Sequence, residues 1–271
     1  VGFPRMDVAQ MRDALELSGI NYPLIAKPDL GFRGFLVKKI ANEAELLAYL
    51  SQYPIPVVLQ EYLLGRKEFG VLYHRHPSQE KGKVSSLTFK ELLSARGDGK
   101  RNLRSLIDAY PRALLQSEVL EKNYADFMEH IPAAGEEFNL GIIGNHCRGA
   151  RFVNGNEHID EQLTDVFDAI AKQIDGFYYG RFDIKCDSLA ALKRGEGIKV
   201  IEINGVCSEP VHIYDPLKIS YFQAVRELGR HWNIVADIAR ANHRNGAGYI
   251  PVREMLKVLL ASRRHFKKLL R

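Results

Sequence analysis

The sequence predicts an α+β fold, with short apolar strands paired through glycine-bearing turns and amphipathic helices set between them. The segments RFDIKC (181–186) and KVIEING (199–205) alternate polar and apolar residues. They flank a stretch containing Gly195 and Gly197, so they read as a hairpin. The segment IDEQLTDVFDAIAKQIDG (159–176) instead spaces its apolar residues as one face of a helix. With 271 residues, the chain can form one large domain or two lobes and bury a sizeable core.

Composition narrows the class. Hydrophobic residues make up 46% and charged residues 26%, the balance of an ordinary soluble globular protein. No apolar run is long enough to span a bilayer, and the first residues lack a signal-peptide pattern. The chain opens on Val1, so a processed or longer protein is expected. Cys147, Cys186 and Cys207 form no CxxC pair, which argues against a zinc or disulfide framework and fits a reducing cytoplasm. A net charge of +5 suits an anionic ligand, a nucleic acid or an acidic membrane face equally. No helix-turn-helix, zinc or RNP pattern supports nucleic acid.

The elements follow in order. MDVAQMRDALELSG (6–19) has helical spacing, with Gly19 as C-cap. YPLIAKP (22–28) is a short strand closed by Pro28, DLGFRG (29–34) a turn, and FLVKKI (35–40) a second strand. NEAELLAYLSQY (42–53) is a helix with Asn42 as N-cap and Glu45 at the capping-box position. PVVLQEYLLG, KEFGVLYHRH and KVSSLTFKEL (56–65, 67–76 and 83–92) read as strands. Residues 92–110 are less regular and end in a helix, and 112–130 are helical. EEFNLGIIGNHCRGARFV (136–153) reads as two strands joined around Gly144–Gly149. After the 181–205 hairpin come a loop at 208–216 and helices over 217–243. His74 and His76 are expected at the surface.

The hairpin raises a question of chemistry, because Asp and Asn are depleted in strands. Arg181, Asp183 and Lys185 share one face of the first strand, while Phe182, Ile184 and Cys186 share the other. In the second strand, Val200, Glu202 and Asn204 alternate with Lys199, Ile201 and Ile203. Two carboxylates and an amide oxygen converging on one face outline a hard-cation site. The segment 22–40 adds a Gly-containing turn flanked by lysines, which suits phosphate but equally suits a plain hairpin with surface lysines. It is not a Walker A loop.

Taken in order, PLIAKPDLGFRG, LQEYLLGRKEFGV, GDGKRNLRSLI, GRFDIK and VIEINGVCSEP resemble the motifs of the ATP-grasp superfamily. Within it they are most similar to the D-alanine–D-alanine ligase-like and cyanophycin-synthetase-like carboxylate–amine ligases. The resemblance covers most of residues 20–215. It implies two lobes, each a mostly antiparallel sheet with helices, with nucleotide in the cleft between them. Residues 1–62 would form the small lobe, 63–248 the large lobe and 249–271 a basic C-terminal helix.

The resemblance also implies roles. Lys27 matches a phosphate-contacting lysine and, with Arg181, the catalytic pair. Gly31, Arg33, Gly34 and Lys38 belong to the loop closing over the phosphates. Glu61, Tyr62 and Leu64 match the adenine-holding hinge, and Glu68 the acid on the ribose hydroxyls. Asp183, Glu202 and Asn204 match the ligands of Mg2+, for which Mn2+ can substitute. The implied reaction joins a small-molecule carboxylate to an amine at the expense of ATP, through an acyl phosphate. An ATP-grasp phosphotransferase, a thiol-acceptor ligase and a non-catalytic nucleotide-binding module stay open as alternatives.

The family's upstream phosphate-binding lysine has no counterpart, since Arg5 and Arg12 but no lysine precede Lys27. The small domain that normally comes first is expected on another segment or chain. Two basic loops, with Arg96, Lys100 and Arg101 in one and His146, Arg148 and Arg151 in the other, are candidates for gripping an anionic substrate. Arg104 closes the first of them and belongs to the same candidate set. Glu209 and His212, with Asp215, are candidates for the acceptor pocket. In residues 250–271, Val252, Met255, Leu256, Leu259 and Leu260 form an apolar stripe. Arg263, Arg264, Lys267, Lys268 and Arg271 add a basic end. A helix docked on the body and one contacting a membrane or partner are both open readings.

Overall fold

The computed structural model describes residues 8–31, 34–114, 116–141, 144–146 and 149–269. The elements run α1 (Val8–Ser18), β1 (Leu24–Pro28), β2 (Lys38–Ile40), α2 (Glu43–Gln52), β3 (Val57–Glu61), β4 (Lys67–His74), β5 (Lys83–Glu91) and β6 (Ser94–Arg96). Then come α3 (Leu103–Asp108), α4 (Pro111–Leu114), α5 (Ser117–Asn123), β7 (Glu137–Asn139), β8 (Arg151–Asn154) and α6 (Glu161–Lys172). The chain continues with β9 (Tyr179–Cys186), α7 (Leu189–Lys193), β10 (Lys199–Asn204), α8 (Tyr221–Arg244) and α9 (Val252–Leu269). The fold is α+β with antiparallel pairing throughout the described sheets.

The first sheet has the order β2-β1-β3. Its apolar side packs Leu24, Ala26, Ile40 and Leu59 against Met11, Leu15, Leu46 and Tyr49 of α1 and α2. Asn42 caps α2 by accepting the Glu45 backbone N–H at 3.0 Å, and Glu45 reaches back to the Ala41 N–H, also at 3.0 Å. The strand expected over 35–40 is confined to Lys38–Ile40, because Leu36 adopts a left-handed φ of 58° that ends an extended run.

The central sheet has the order β10-β9-β4-β5-β8. One face buries Phe69, Val71, Tyr73, Phe182, Ile184 and Cys186 against Leu163, Phe167 and Ala171 of α6 and Leu192 of α7. The other face carries the polar alternates. Part of it is covered by a 3-10 turn at Val211–Tyr214, which packs on β5 and β8, and part by α8, where Ile238 meets Leu72 and Tyr179. A smaller sheet pairs β6 with β7 and packs with α3–α5 through Leu103, Leu106, Ala113 and Leu120. The two strands read within 136–153 therefore do not pair with each other. One joins β6 and the other joins β5.

Candidate functional site

The site begins with a break in strand alternation. Lys199 faces Lys185 and Val200 faces Ile184 across β9–β10, but Glu202 faces Asp183 and Asn204 faces Arg181. One extra residue, Ile201, stands in β10 as a β-bulge. In a regular ladder, Ile201 would oppose Asp183. The expectation that Val200 shares a face with Glu202 is thus corrected: the bulge turns Val200 to the Ile184 side and brings Glu202 and Asn204 over Asp183 and Arg181.

Registers across the sheet assemble the rest of that face. One row runs Glu202, Asp183, Gly70, Thr88 and Asn154; the next runs Lys185, Glu68, Lys90 and Phe152. Lys90, which the sequence gives no reason to single out, sits between two acids. Its Nζ lies 3.2 Å from Glu68 Oε1 and 3.1 Å from Asp183 Oδ1, with 5% of the side chain exposed. Arg181 also holds Asp183, Nε to Oδ1 at 2.9 Å and Nη2 to Oδ2 at 3.2 Å, and its Nη1 donates to the Glu209 carbonyl at 3.2 Å. Asn204 Nδ2 donates to Asp183 Oδ2 at 3.1 Å. Burial opposes ionisation of Asp183, but Lys90 and Arg181 outweigh it and hold the carboxyl below its ordinary range.

Glycines leave room for this cluster. A Cβ at Gly70 would press on Val211 Cγ2 at 3.3 Å and touch Asp183 Oδ1 and Lys90 Cε at ordinary contact distance, 3.5 Å. One at Gly144 would collide with the Glu68 carboxylate. Gly31 and Gly34 lie in the turn after β1, where Gly34 has a left-handed φ of 71°.

The first sheet reaches the same strand. Lys27 Nζ and Gln60 Nε2 both donate to the Ile201 carbonyl at 3.3 Å, the backbone group that the bulge leaves without a ladder partner. Glu61 pairs with Lys199 at 3.1 Å, Lys39 Nζ stands 4.5 Å over the Tyr62 ring, and Lys185 Nζ donates to the Leu63 carbonyl at 3.0 Å. Leu64 is exposed, as is Lys38. Lys27, Glu61 and Glu68 are therefore brought to the β9–β10 hairpin, whereas Tyr62 meets Lys39 of β2 and Leu64 is exposed.

Other candidates fall elsewhere or outside the described residues. Arg101 pairs with Asp98 of its own turn at 2.7 Å, and Arg151 with Glu91 at 3.5 Å. Arg96 and Lys100 are exposed, and Arg104 is taken up by Glu121 and Glu129. Arg12 is tied to Glu43. Arg5, Arg33, Cys147, Arg148 and Arg271 lie outside the described residues. His146 packs between Phe152 and Tyr214, at centroid distances of 5.3 and 5.2 Å, and its Nδ1 is 3.1 Å from Arg112 Nη2. Tyr214 in turn donates to Glu209. His212 is buried on Ser86 Oγ at 2.7 Å, and burial pushes its pKa down to about 4. Asp215 is also buried and accepts the Asn154 N–H at 2.9 Å. His74, expected at the surface, is half-buried at the end of β4.

The donor set suits a hard cation. Asp183 and Glu202 offer carboxylate oxygens and Asn204, its Nδ2 turned to Asp183, an amide oxygen, the ligand types Mg2+ takes. In the same row Thr88 Oγ1 is buried without a hydrogen-bond partner, an orphan polar atom on the site floor. Among the described residues no three His, Cys, Asp or Glu side chains come together as a metal cluster.

No protein-family model matches the chain, and no curated protein does. Solved structures similar to it include the D-alanine–D-alanine ligase from Bacillus anthracis. That match has 14% identity, covers 91% of this chain and 63% of that one, and has a TM-score of 0.48. The VanG D-Ala:D-Ser ligase from Enterococcus faecalis matches at 16% identity, with 86% and 55% covered and a TM-score of 0.44. A bifunctional glutathione synthetase from Pasteurella multocida matches at 15% identity, with 88% and 33% covered and a TM-score of 0.41. The chain spans less than two thirds of each of these solved chains.

Proposed function

We propose that the chain is a Mg-ATP-dependent carboxylate–amine ligase of the ATP-grasp type, acting through an acyl phosphate. One observation carries this: the bulge at Ile201 sets Glu202 and Asn204 opposite Asp183 and Arg181, while Lys27 reaches the bulge carbonyl from the facing sheet. Acidic oxygen ligands and a lysine from separate sheets thus meet at one strand. That is an arrangement for charge-neutralised phosphoryl transfer, where catalysis is mainly positioning and electrostatics.

In this reading the substrate carboxylate oxygen attacks the γ-phosphorus, and the bond from that phosphorus to the β–γ bridging oxygen breaks, releasing ADP. The amine nitrogen then attacks the acyl carbon and loses a proton. The carbon–oxygen bond to phosphate breaks, leaving the amide. Mg2+, when held by Asp183, Glu202 and Asn204, supplies neutralising charge to the phosphates. Lys27 binds and orients the phosphates. Arg181, fixed by Asp183 and the Glu209 carbonyl, holds a cation at the rim where the oxyanion develops. Gly31 and Gly34, in the turn after β1, would help to exclude water that otherwise hydrolyses the acyl phosphate.

The test is a titration of ATP with and without Mg2+, followed by hydroxylamine trapping across a panel of carboxylic acids. Metal-dependent ATP binding and hydroxamate formation that is lost in Glu202→Gln are expected. Hydroxamate formation insensitive to that substitution would overturn the metal assignment, and ATP consumption without hydroxamate would point to phosphotransfer instead.

A further inference from the structure

The C-terminal helix carries a chemistry that the nucleotide site does not use. Over Val252–Leu269 its sequence holds Arg253, Lys257, Arg263, Arg264, Lys267 and Lys268 against the single acid Glu254, a net +5. The whole chain has a net charge of +5, so this helix holds the entire excess and the rest of the chain sums to neutrality.

Its apolar residues are equally unbalanced by packing. Val252, Met255, Leu256, Leu259 and Leu260 recur at helical spacing, and each is about half exposed or more. Ile250, just before the helix, is 73% exposed and extends the stripe. No helix or strand packs extensively along α9 among the described residues. Near its far end His265 Nε2 lies 3.3 Å from the Leu30 carbonyl, a polar contact that leaves the stripe uncovered.

At about 100° per residue, Met255, Leu259, Val252, Leu256 and Leu260 lie on one side of the helix, with Arg253, Lys257 and Arg264 along the adjoining arc, and Arg263 and Lys267 continue the line of the stripe as its basic end. A second copy is a poor occupant, because pairing α9 with itself sets +5 against +5 beside the stripe. An anionic surface with an apolar interior satisfies both halves: the stripe leaves water while the cations stay at the charged headgroups. An exposed apolar stripe, a nearly all-cationic polar face and a local charge excess are the physical signature of an interfacial helix.

We infer that α9 lies in the plane of an anionic lipid bilayer and holds the protein at that surface. The inference is independent of the ligase reading, since it uses no residue of the nucleotide site.

The experiment is co-sedimentation of the full chain with phosphatidylcholine vesicles, with and without phosphatidylglycerol. Binding to the anionic vesicles, and not the neutral ones, is expected. Leu256→Asp/Leu259→Asp should weaken that binding about tenfold or more, as should Arg263→Glu/Arg264→Glu/Lys267→Glu. These side chains are exposed, so circular dichroism of both variants should match the parent. Absence of binding to anionic vesicles would overturn the inference. So would binding that the charge variant loses but the leucine variant keeps, which marks a polyanion contact rather than insertion. A parent dimer in sedimentation equilibrium that the leucine variant dissociates would assign the stripe to a second copy and overturn it as well.

Discussion

Lys27 Nζ donates to the main-chain carbonyl of Ile201 at 3.3 Å, joining the middle strand of one sheet to the bulge of the edge strand of another. A β-bulge leaves its extra residue out of the ladder, so the carbonyl needs a partner from elsewhere. Gln60 supplies a second donor at the same distance. Bound nucleotide would compete for Lys27 but not for Gln60. Lys27→Met is therefore expected to weaken ATP binding about tenfold or more, and Gln60→Leu less than about threefold. Calorimetric titration of both variants checks this, and equal losses would show that the inter-sheet contact, rather than the cation, is what matters.

Lys90 is expected to be a stability determinant as well as a site residue. Its ammonium is buried between Glu68 and Asp183, whose side chains are 9% and 8% exposed. Removing one partner from a buried ionic cluster leaves uncompensated charge, so Lys90→Met should cost about 3 kcal/mol in urea denaturation. Adding Asp183→Asn should recover part of that loss, because one stranded carboxylate is then gone. If the double variant is less stable than the single one, the charge account is wrong.

Glu202 should behave in the opposite way. It is exposed, so Glu202→Gln is expected to leave stability within about 0.5 kcal/mol while removing the Mg2+ dependence of ATP binding. Thermal unfolding and titration on the same preparation separate the two effects. Retained Mg2+ dependence would remove Glu202 from the ligand set.

Acid should destabilise the protein through His212. Burial holds its pKa at about 4, below the ordinary 6.5, with His231 and Arg230 also disfavouring the imidazolium and Glu227 partly opposing them. Between those values the unfolded chain binds the proton and the folded chain does not. Stability is therefore full above pH 6.5, falls as pH drops towards about 4, and loses at most about 3 kcal/mol from this group. Denaturation midpoints measured from pH 7 down to pH 4.5 should show the slope, and His212→Asn, which can keep a hydrogen bond to Ser86, should reduce it. An unchanged slope in that variant would assign the acid sensitivity to other buried imidazoles, such as His74 or His231.

Much of the architecture was legible from local chemistry. The apolar run Phe182, Ile184 and Cys186 marks the buried face of β9, and Leu163, Phe167 and Ala171 mark the face of α6 that covers it. Asn42 announces the start of α2 because an N-cap is satisfied within a few residues. These features depend on near neighbours in the chain, so side-chain period and capping rules are enough to find them. Lys27, Asp183 and Glu202 stand out by residue type and motif order, and their proximity follows only from the strand registers and the contact between sheets.

What sequence alone determined is thus the element pattern, the buried faces and a short list of charged residues in strands. Only the tertiary structure decided which of those residues meet. Alternation in KVIEIN places Val200 with Glu202, and no local signal announces the extra residue that turns them apart. The bulge is set by pairing with β9, a partner drawn in from earlier in the chain. Lys90 reads as an ordinary strand lysine until β4 comes to lie between β5 and β9, which buries it between two acids. Strand order and register are long-range choices made by the whole core, and charge pairing at this site is a consequence of them.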